Sequence, residues 1–493
     1  MFLRFFGLIL AIFLALPASA QRLPNEGDLR RHIEILASEE FEGRQPGTAG
    51  EALTASYIAS EFSAAGILPG YHGNYLQAVA LVDRSDARAI LIGSNNDDLD
   101  SVDGEIIALG NQEDVSIDGL PVTFVGYGLE AGETDTSSTT DVRFDGQAVL
   151  LLRGAPEGID NPPSFRTRLA FYRERGATAI IGIALPDTPW DASLNSLRFR
   201  QTYFASDARS PVEAIISAAA YDRHLAGSLG AYAELTRSAQ AQEFTRQLFD
   251  LQISLRVTTR VDRYDGINVV GFIPGSGASG EAVLFSAHHD HFGICRPEDP
   301  DNQTCNGAVD NASGTAAVIE VARALAADEQ AERDIYFVTT TAEESGLLGA
   351  IAFAEAPPLP LENILAVFNL DTIAIAPRGA AVGIIGRGMT PLDTLIDQVA
   401  IEYGRTVDTG LEMNSFVRRN DAWAFMERGV AAVMVGGSFT DPELLNGFLS
   451  GRYHRNTDEI DGIELGGAHE DTLLHIGLGR AFSDPQRYPT PER

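Results

Sequence analysis

The chain has 493 residues, 44% of them hydrophobic and 21% charged, a length too great for one ordinary core and a composition that sets disorder aside. Its 36 basic and 69 acidic residues give a formal net charge of −33. Such a field repels nucleic acid and anionic membrane surfaces, so neither is expected as a partner.

The elements follow in chain order. Met1–Arg4 is short and basic, Phe5–Leu16 is apolar apart from Gly7, and Ala18-Ser19-Ala20 precedes Gln21. This is the layout of a cleaved secretory signal, cut after Ala20, and it predicts a secreted or periplasmic protein. The apolar run is shorter than the ~20 residues of a membrane span. No Cys follows it to carry a lipid anchor, and no stable membrane insertion is expected. Residues 26–66 read as two amphipathic helices, the first with Leu29, Ile33 and Leu36 at helical spacing. A turn-rich link, Glu42-Gly43-Arg44-Gln45-Pro46-Gly47, joins them. Residues 75–94 alternate like strands.

The character changes between about 84 and 245. Val122–Gly128 reads as a strand ending in glycines, Gln147–Arg153 as a buried strand, and 165–175 as a helix leading into Gly176–Ile183. The stretch 129–146 reads as an exposed loop. From Asn268 onward strands and helices alternate. Strands are expected at Ala282–Ala287, Asp334–Thr341, Ile364–Leu370 and 430–435. Helices are expected at Asn311–Ala326, 346–355, 390–404, 421–428 and 467–482. This alternation predicts an α/β layer fold with a largely parallel sheet. The two cysteines, Cys295 and Cys305, are expected to pair in an exported protein, in a disulfide worth roughly 2–3 kcal/mol. Asn302-Gln303-Thr304 and Asn311-Ala312-Ser313 match glycosylation sequons, the second by coincidence, since it falls among the residues discussed next.

In α/β sheets ligands gather at the carboxyl ends of strands. After the strand ending at Ala287 comes His288-His289-Asp290-His291. Asp310-Asn311-Ala312-Ser313-Gly314 opens a helix, Glu343-Glu344 follows Thr341, Asp371 follows Leu370, and Tyr453-His454 lies near the end. Each piece alone has a plain structural reading. Asp-Asn-x-Ser-Gly suits a helix N-cap, Glu-Glu a solvated face, and Asp371 a turn. Together they place oxygen and imidazole donors at five strand or loop ends, which is what a pair of zinc ions needs.

These stretches resemble the co-catalytic zinc aminopeptidases of peptidase clan MH, with the bacterial leucyl aminopeptidases, aminopeptidase Y and, more distantly, glutamate carboxypeptidase II. The resemblance rests on Ser286–His291, Gly307–Gly314, Glu343–Gly349, Asn369-Leu370-Asp371 and Tyr453-His454. Ser38–Arg44 and Pro46-Gly47-Thr48 are similar to the family's opening segment, and Phe124–Gly128 to the protease-associated domain inserted in many members. It implies a three-layer α/β/α sandwich with a mixed, largely parallel sheet, built from residues 21–83 and 246–493 and interrupted at 84–245 by a mostly β domain. The expected role of that domain is a lid over the cleft.

The resemblance implies two Zn²⁺ ions. His288 would bind one and His454 the other, Asp310 would bridge them, and Glu344 and Asp371 would complete the two sets. Asp290 would accept the second ring N–H of His288. Glu343 would be the general base, and Tyr453 would stabilise the oxyanion. Peptides are the implied substrates. Two positions depart from the family pattern: Val309-Asp310-Asn311, where relatives usually have two acids or Asp-Asp-Asn and the ligand position is kept, and Asn420-Asp421, where many carry Ser-Asp. An aminopeptidase is the expected activity. A carboxypeptidase or dipeptidase on the same fold would want arginines for a C-terminal carboxylate, and Arg418, Arg419, Arg452 and Arg455 lie near pocket-forming segments. A receptor-like relative without metals would not need Glu343. His32, His72, His224, His289, His291, His469 and His475 are not needed as ligands and read as packing or surface residues.

Overall fold

The computed structural model describes residues 22–92, 98–100, 105–129, 142–159, 162–190, 201–207, 210–240 and 244–491. Residues 1–20, expected to be a secretory signal, and most of the loop expected at 129–146 lie outside the described residues. The chain divides into two compact units, Met1–Ala78 with Ile267–Arg493, and Val79–Gly266. Composition placed the seams at 83/84 and 245/246. The difference arises because two long strands, Leu76–Ile92 and Gln247–Ile273, run through them.

The first unit is a sandwich of helices on both faces of a mixed sheet. Ala282–His288 pairs in parallel with Asp334–Thr340 on one side and Ile364–Asn369 on the other, and Ile364–Asn369 pairs in parallel with Ala432–Gly436. Antiparallel strands flank this set: Val269–Ile273 against Asp334–Thr340, and Gly383–Ile385 against Ala432–Gly436. Ala282–His288 is buried along its whole length, as a central parallel strand covered on both faces must be. Its side chains alternate. Val283, Phe285 and Ala287 join one core with Leu29, Ile58 and Phe62 from the two N-terminal helices and with Val318, Ile396 and Leu474. Ala282 and Leu284 face the other core with Phe353 and Phe425.

Local signals agree with these elements. Asn25 caps Glu26–Leu36 through the backbone N–H groups of Gly27 and Asp28, and Thr48 caps Ala49–Ala64 through that of Glu51. The helix expected from Asn311 begins at Ser313, because Asp310 and Asn311 take non-helical backbone angles. A helix at Pro442–Gly451, capped by Asp441, was not anticipated. Cys295 and Cys305 are disulfide-bonded beside the short hairpin Gly293–Ile294/Thr304–Cys305.

The second unit has its own core. Asp114–Phe124, Ala148–Leu152, Ala179–Ile183 and Val212–Ile216 pair successively in parallel, and Ile106–Gly110 closes the edge antiparallel to Val212–Ile216. Helices Phe165–Glu174, Ala218–His224 and Tyr232–Ala239 accompany these strands, and with the long strands Leu76–Ile92 and Gln247–Ile273 the regular structure of the unit is mostly β. Among the described residues no helix is long and apolar enough to cross a membrane.

Candidate metal centre

Strand ends of the first unit bring the expected residues together. His288 ends Ala282–His288 and is buried. Its Nε2 lies 3.2 Å from Asp310 Oδ1, 3.5 Å from Asp371 Oδ1 and 3.9 Å from Glu343 Oε2. His454 Nε2 lies 3.4 Å from Asp310 Oδ2 and 3.0 Å from Glu344 Oε2. The donors thus form two sets, one on His288 and Asp371 and one on His454 and Glu344, with one oxygen of Asp310 facing each.

The chemistry of the donor set fits divalent cations. His288, Asp310 and Glu344 each offer a ligand atom, all within 4.8 Å of one another. Asp310 Oδ2 and Glu344 Oε1 are buried and make no well-directed hydrogen bond; their near neighbours are imidazole nitrogens, His454 Nε2 and His291 Nδ1, which are themselves metal-ligating groups. Burial alone would raise the Asp310 carboxyl, but the imidazoles of His288 and His454 hold it well below its usual range. The Glu343 carboxyl goes the other way. Burial pushes it well above the ordinary value, the neighbouring carboxylates of Glu344, Asp421 and Asp371 add to this, and His288 opposes it. Acids of opposite tendency in one site are a mark of function rather than of packing.

The supports are specific. Asp290 is fully buried, and its carboxylate accepts the backbone N–H groups of Glu343 at 3.0 Å and Glu344 at 3.4 Å. That adds to the expected role. His288 Nδ1 lies 3.2 Å from the Asp290 backbone oxygen and 3.7 Å from its carboxylate. Asp290 therefore aims the Glu343-Glu344 turn as well as facing the His288 ring. Asn311 donates to Leu370 O and accepts from Gly314 N and Thr372 N, tying the Asp310 and Asp371 segments together. An aspartate there could not donate to Leu370 O.

Sequence reasoning missed three residues. Asp458, fully buried, accepts the N–H groups of Val309 and Asp310 and so fixes the backbone that carries the Asp310 carboxylate. We expect Asp458→Ala to weaken zinc binding about 10–100-fold, the usual cost of losing such a support, as read by competition with a chromophoric chelator. His291 was expected to pack or lie at the surface, yet its buried Nδ1 stands 2.8 Å from Glu344 Oε1. Its place immediately after Asp290 was the available signal. Arg44 is the third. The other histidines make ordinary contacts: His32 with Glu320, His289 with Thr339, His475 with Asp471 O, His469 with Pro24 O, His224 with Glu105 and His72 against the Tyr71 ring.

A cleft opens beside the centre. Asp310, Glu343, Asp371 and Tyr453 line one part, and Ile385, Phe416, Met434, Phe439, Leu445 and Leu449 make the rest largely apolar. Tyr453 stacks on the His454 ring, centroids 3.6 Å apart, and its hydroxyl accepts from Arg419 at 3.5 Å. Asp421, from the Asn420-Asp421 departure, is buried behind the site and accepts from Thr340 Oγ1. Of the four arginines weighed for a carboxylate pocket, Arg419 lines the cleft. Arg418 lies over Trp423, Arg452 bonds Asp458 and three backbone oxygens, and Arg455 bonds Ser450 O.

Residues 268–475 match the model of Peptidase family M28. The chain is 25% identical over 317 residues to the probable lipoprotein aminopeptidase LpqL of Mycobacterium tuberculosis, covering 58% of this chain and 59% of that one. It is 32% identical over 148 residues to leucine aminopeptidase 1 of Fusarium vanettenii, covering 28% and 36%. The matches thus span about three-fifths or less of these relatives. The fold is similar to that of an aminopeptidase from Aneurinibacillus sp. strain AM-1, with a TM-score of 0.56, 17% identity, and 95% and 96% of the two chains covered.

Proposed function

Taking residues 268–475 as belonging to peptidase family M28, we propose that the protein is an exported metallo-aminopeptidase that works with two zinc ions. The observation that carries this reading is the shared Asp310, one oxygen facing the His288 set and the other facing the His454 set. Zinc pairs supply Lewis-acid polarisation of the scissile carbonyl and make water at the site more acidic.

The chain's own residues do the rest. Glu343, buried at the turn that Asp290 holds, takes the proton of the attacking water and passes it to the leaving amine. Tyr453, beside His454, donates its hydroxyl proton in a hydrogen bond to the carbonyl oxygen as charge builds there. The apolar wall from Ile385 to Leu449 receives the side chain of the leading residue. Residues 84–245 are then an inserted protease-associated domain. The segment 1–20 is a cleaved signal, in keeping with a disulfide that favours an oxidising compartment. Arg419 alone among the four arginines reaches the cleft, which leaves little to hold a C-terminal carboxylate.

The test is a substrate panel run on the zinc-loaded protein. Leucyl p-nitroanilide should be cleaved, and its N-acetyl derivative and N-blocked dipeptides should not. Cleavage confined to the blocked peptides would move the assignment to a carboxypeptidase. The pocket reading is checked by Leu449→Trp. Filling the apolar wall should shift kcat/KM from leucyl towards alanyl substrates by about 10–200-fold, the range that differences in apolar bulk supply.

A further inference from the structure

A fully buried arginine lies behind the ligand segments. Arg44 has no exposed surface. It closes the opening segment Glu39–Arg44, in which Glu42, Gly43 and Arg44 take φ values of 49°, 61° and 53°. Left-handed backbone at two non-glycine residues persists only where surroundings enforce it. Its guanidinium donates to four backbone carbonyls: Nε to His289 O at 2.7 Å, Nη1 to Leu36 O at 2.7 Å and Asn306 O at 2.5 Å, and Nη2 to Gly307 O at 2.9 Å. No described carboxylate forms an ion pair with it. Burial lowers its pKa to about 10, while the more distant carboxylates of Asp290, Asp458, Asp310 and Glu344 hold the charge in place.

A buried cation without a paired acid is expensive, so the carbonyls it grips matter. His289 O belongs to the loop that presents His288. Asn306 and Gly307 lead into Asp310. Leu36 O ends the first helix. Only a rigid planar fork with five donors can span three separate segments at once; an ammonium offers its donors from one point. The seam has no slack. A Cβ on Gly43 would stand 2.4 Å from Cys305 O and 2.9 Å from Gly293 Cα, and one on Gly307 would stand 2.1 Å from Asp310 O.

We propose that Arg44 is a positioning residue of the metal centre, holding the His288 loop and the Asp310 segment at the separation the cations require before any cation binds. The proposal rests on the metal-centre reading above. Its test separates positioning from plain structural support by using Arg333, an equally buried arginine that ties Phe482 O and Tyr488 O elsewhere in the unit.

Zinc affinity, the visible spectrum of the Co²⁺-substituted protein and thermal unfolding of the metal-free form are measured for Arg44→Lys and Arg333→Lys. Arg44→Lys should bind zinc about 10–100-fold more weakly and show an altered Co²⁺ spectrum. Arg333→Lys should lose stability yet keep the wild-type affinity and spectrum. Wild-type affinity and spectrum in Arg44→Lys would overturn the proposal. If Arg44→Lys does not fold, Gly43→Ala displaces the same hook with the guanidinium kept, and the same weakening is expected. Wild-type binding in Gly43→Ala, or failure of both variants to fold, would equally overturn it. Wild-type protein that binds no zinc would remove the centre itself, a different outcome from intact binding in the variants.

Discussion

Glu343→Gln should abolish turnover, lowering kcat by about 10²–10⁴-fold, the contribution of a positioned general base, while zinc stays bound. Glutamine keeps the size of the side chain and cannot take a proton. The backbone of residue 343 is held by Asp290, not by the Glu343 side chain, so the turn that presents Glu344 should survive. Burial and the carboxylates of Glu344, Asp421 and Asp371 disfavour a charge at Glu343 in the absence of metal. The metal-free Glu343→Gln protein should therefore unfold at the same temperature as wild type or higher. Equal kcat in the variant would remove Glu343 from the reaction. A loss of zinc along with activity would make it a ligand instead.

Asp310→Asn should remove the metal response altogether. The change preserves shape but leaves a neutral amide between the two donor sets, where Asp310 now faces both His288 and His454. Zinc should raise the unfolding temperature of the wild type, because a ligand that binds only the folded state stabilises it by about 4 kcal/mol at 1,000 times its Kd. In Asp310→Asn that rise should vanish and activity should fall about 10³-fold or more. A variant that still shows the full thermal response would contradict a bridging role.

Much of this was legible in the sequence because strand ends are marked by composition. The apolar run Ala282–Ala287 followed by His288 reads as a buried strand delivering its last residue to the carboxyl end of the sheet, and the structure has it so. The same logic located Asp371 after Ile364–Asn369. What stayed hidden was whatever depends on long-range partners. Arg44 lies about 245 positions from His289, and in sequence it looks like a surface arginine in a turn. Asp458 looks like one more acid in an acidic chain, and only the fold puts it under Asp310. Asp290 was identified as a support of His288, whose Nδ1 lies 3.7 Å from its carboxylate, but nothing local says that the Glu343 and Glu344 backbone also arrives there. The seams were displaced because composition changes gradually along strands as long as Gln247–Ile273. His291 was set aside because the expected ligand set was already full without it, yet it lies against Glu344.

The most direct test of the central claim is zinc titration of the chelated protein with turnover of leucyl p-nitroanilide read at each step. The account predicts no turnover without metal, saturable recovery complete at two zinc ions per chain, and no hydrolysis of the N-acetyl substrate at any point. Full activity in the metal-free protein, or tight binding of zinc with no recovery on any free-amine substrate, would contradict it.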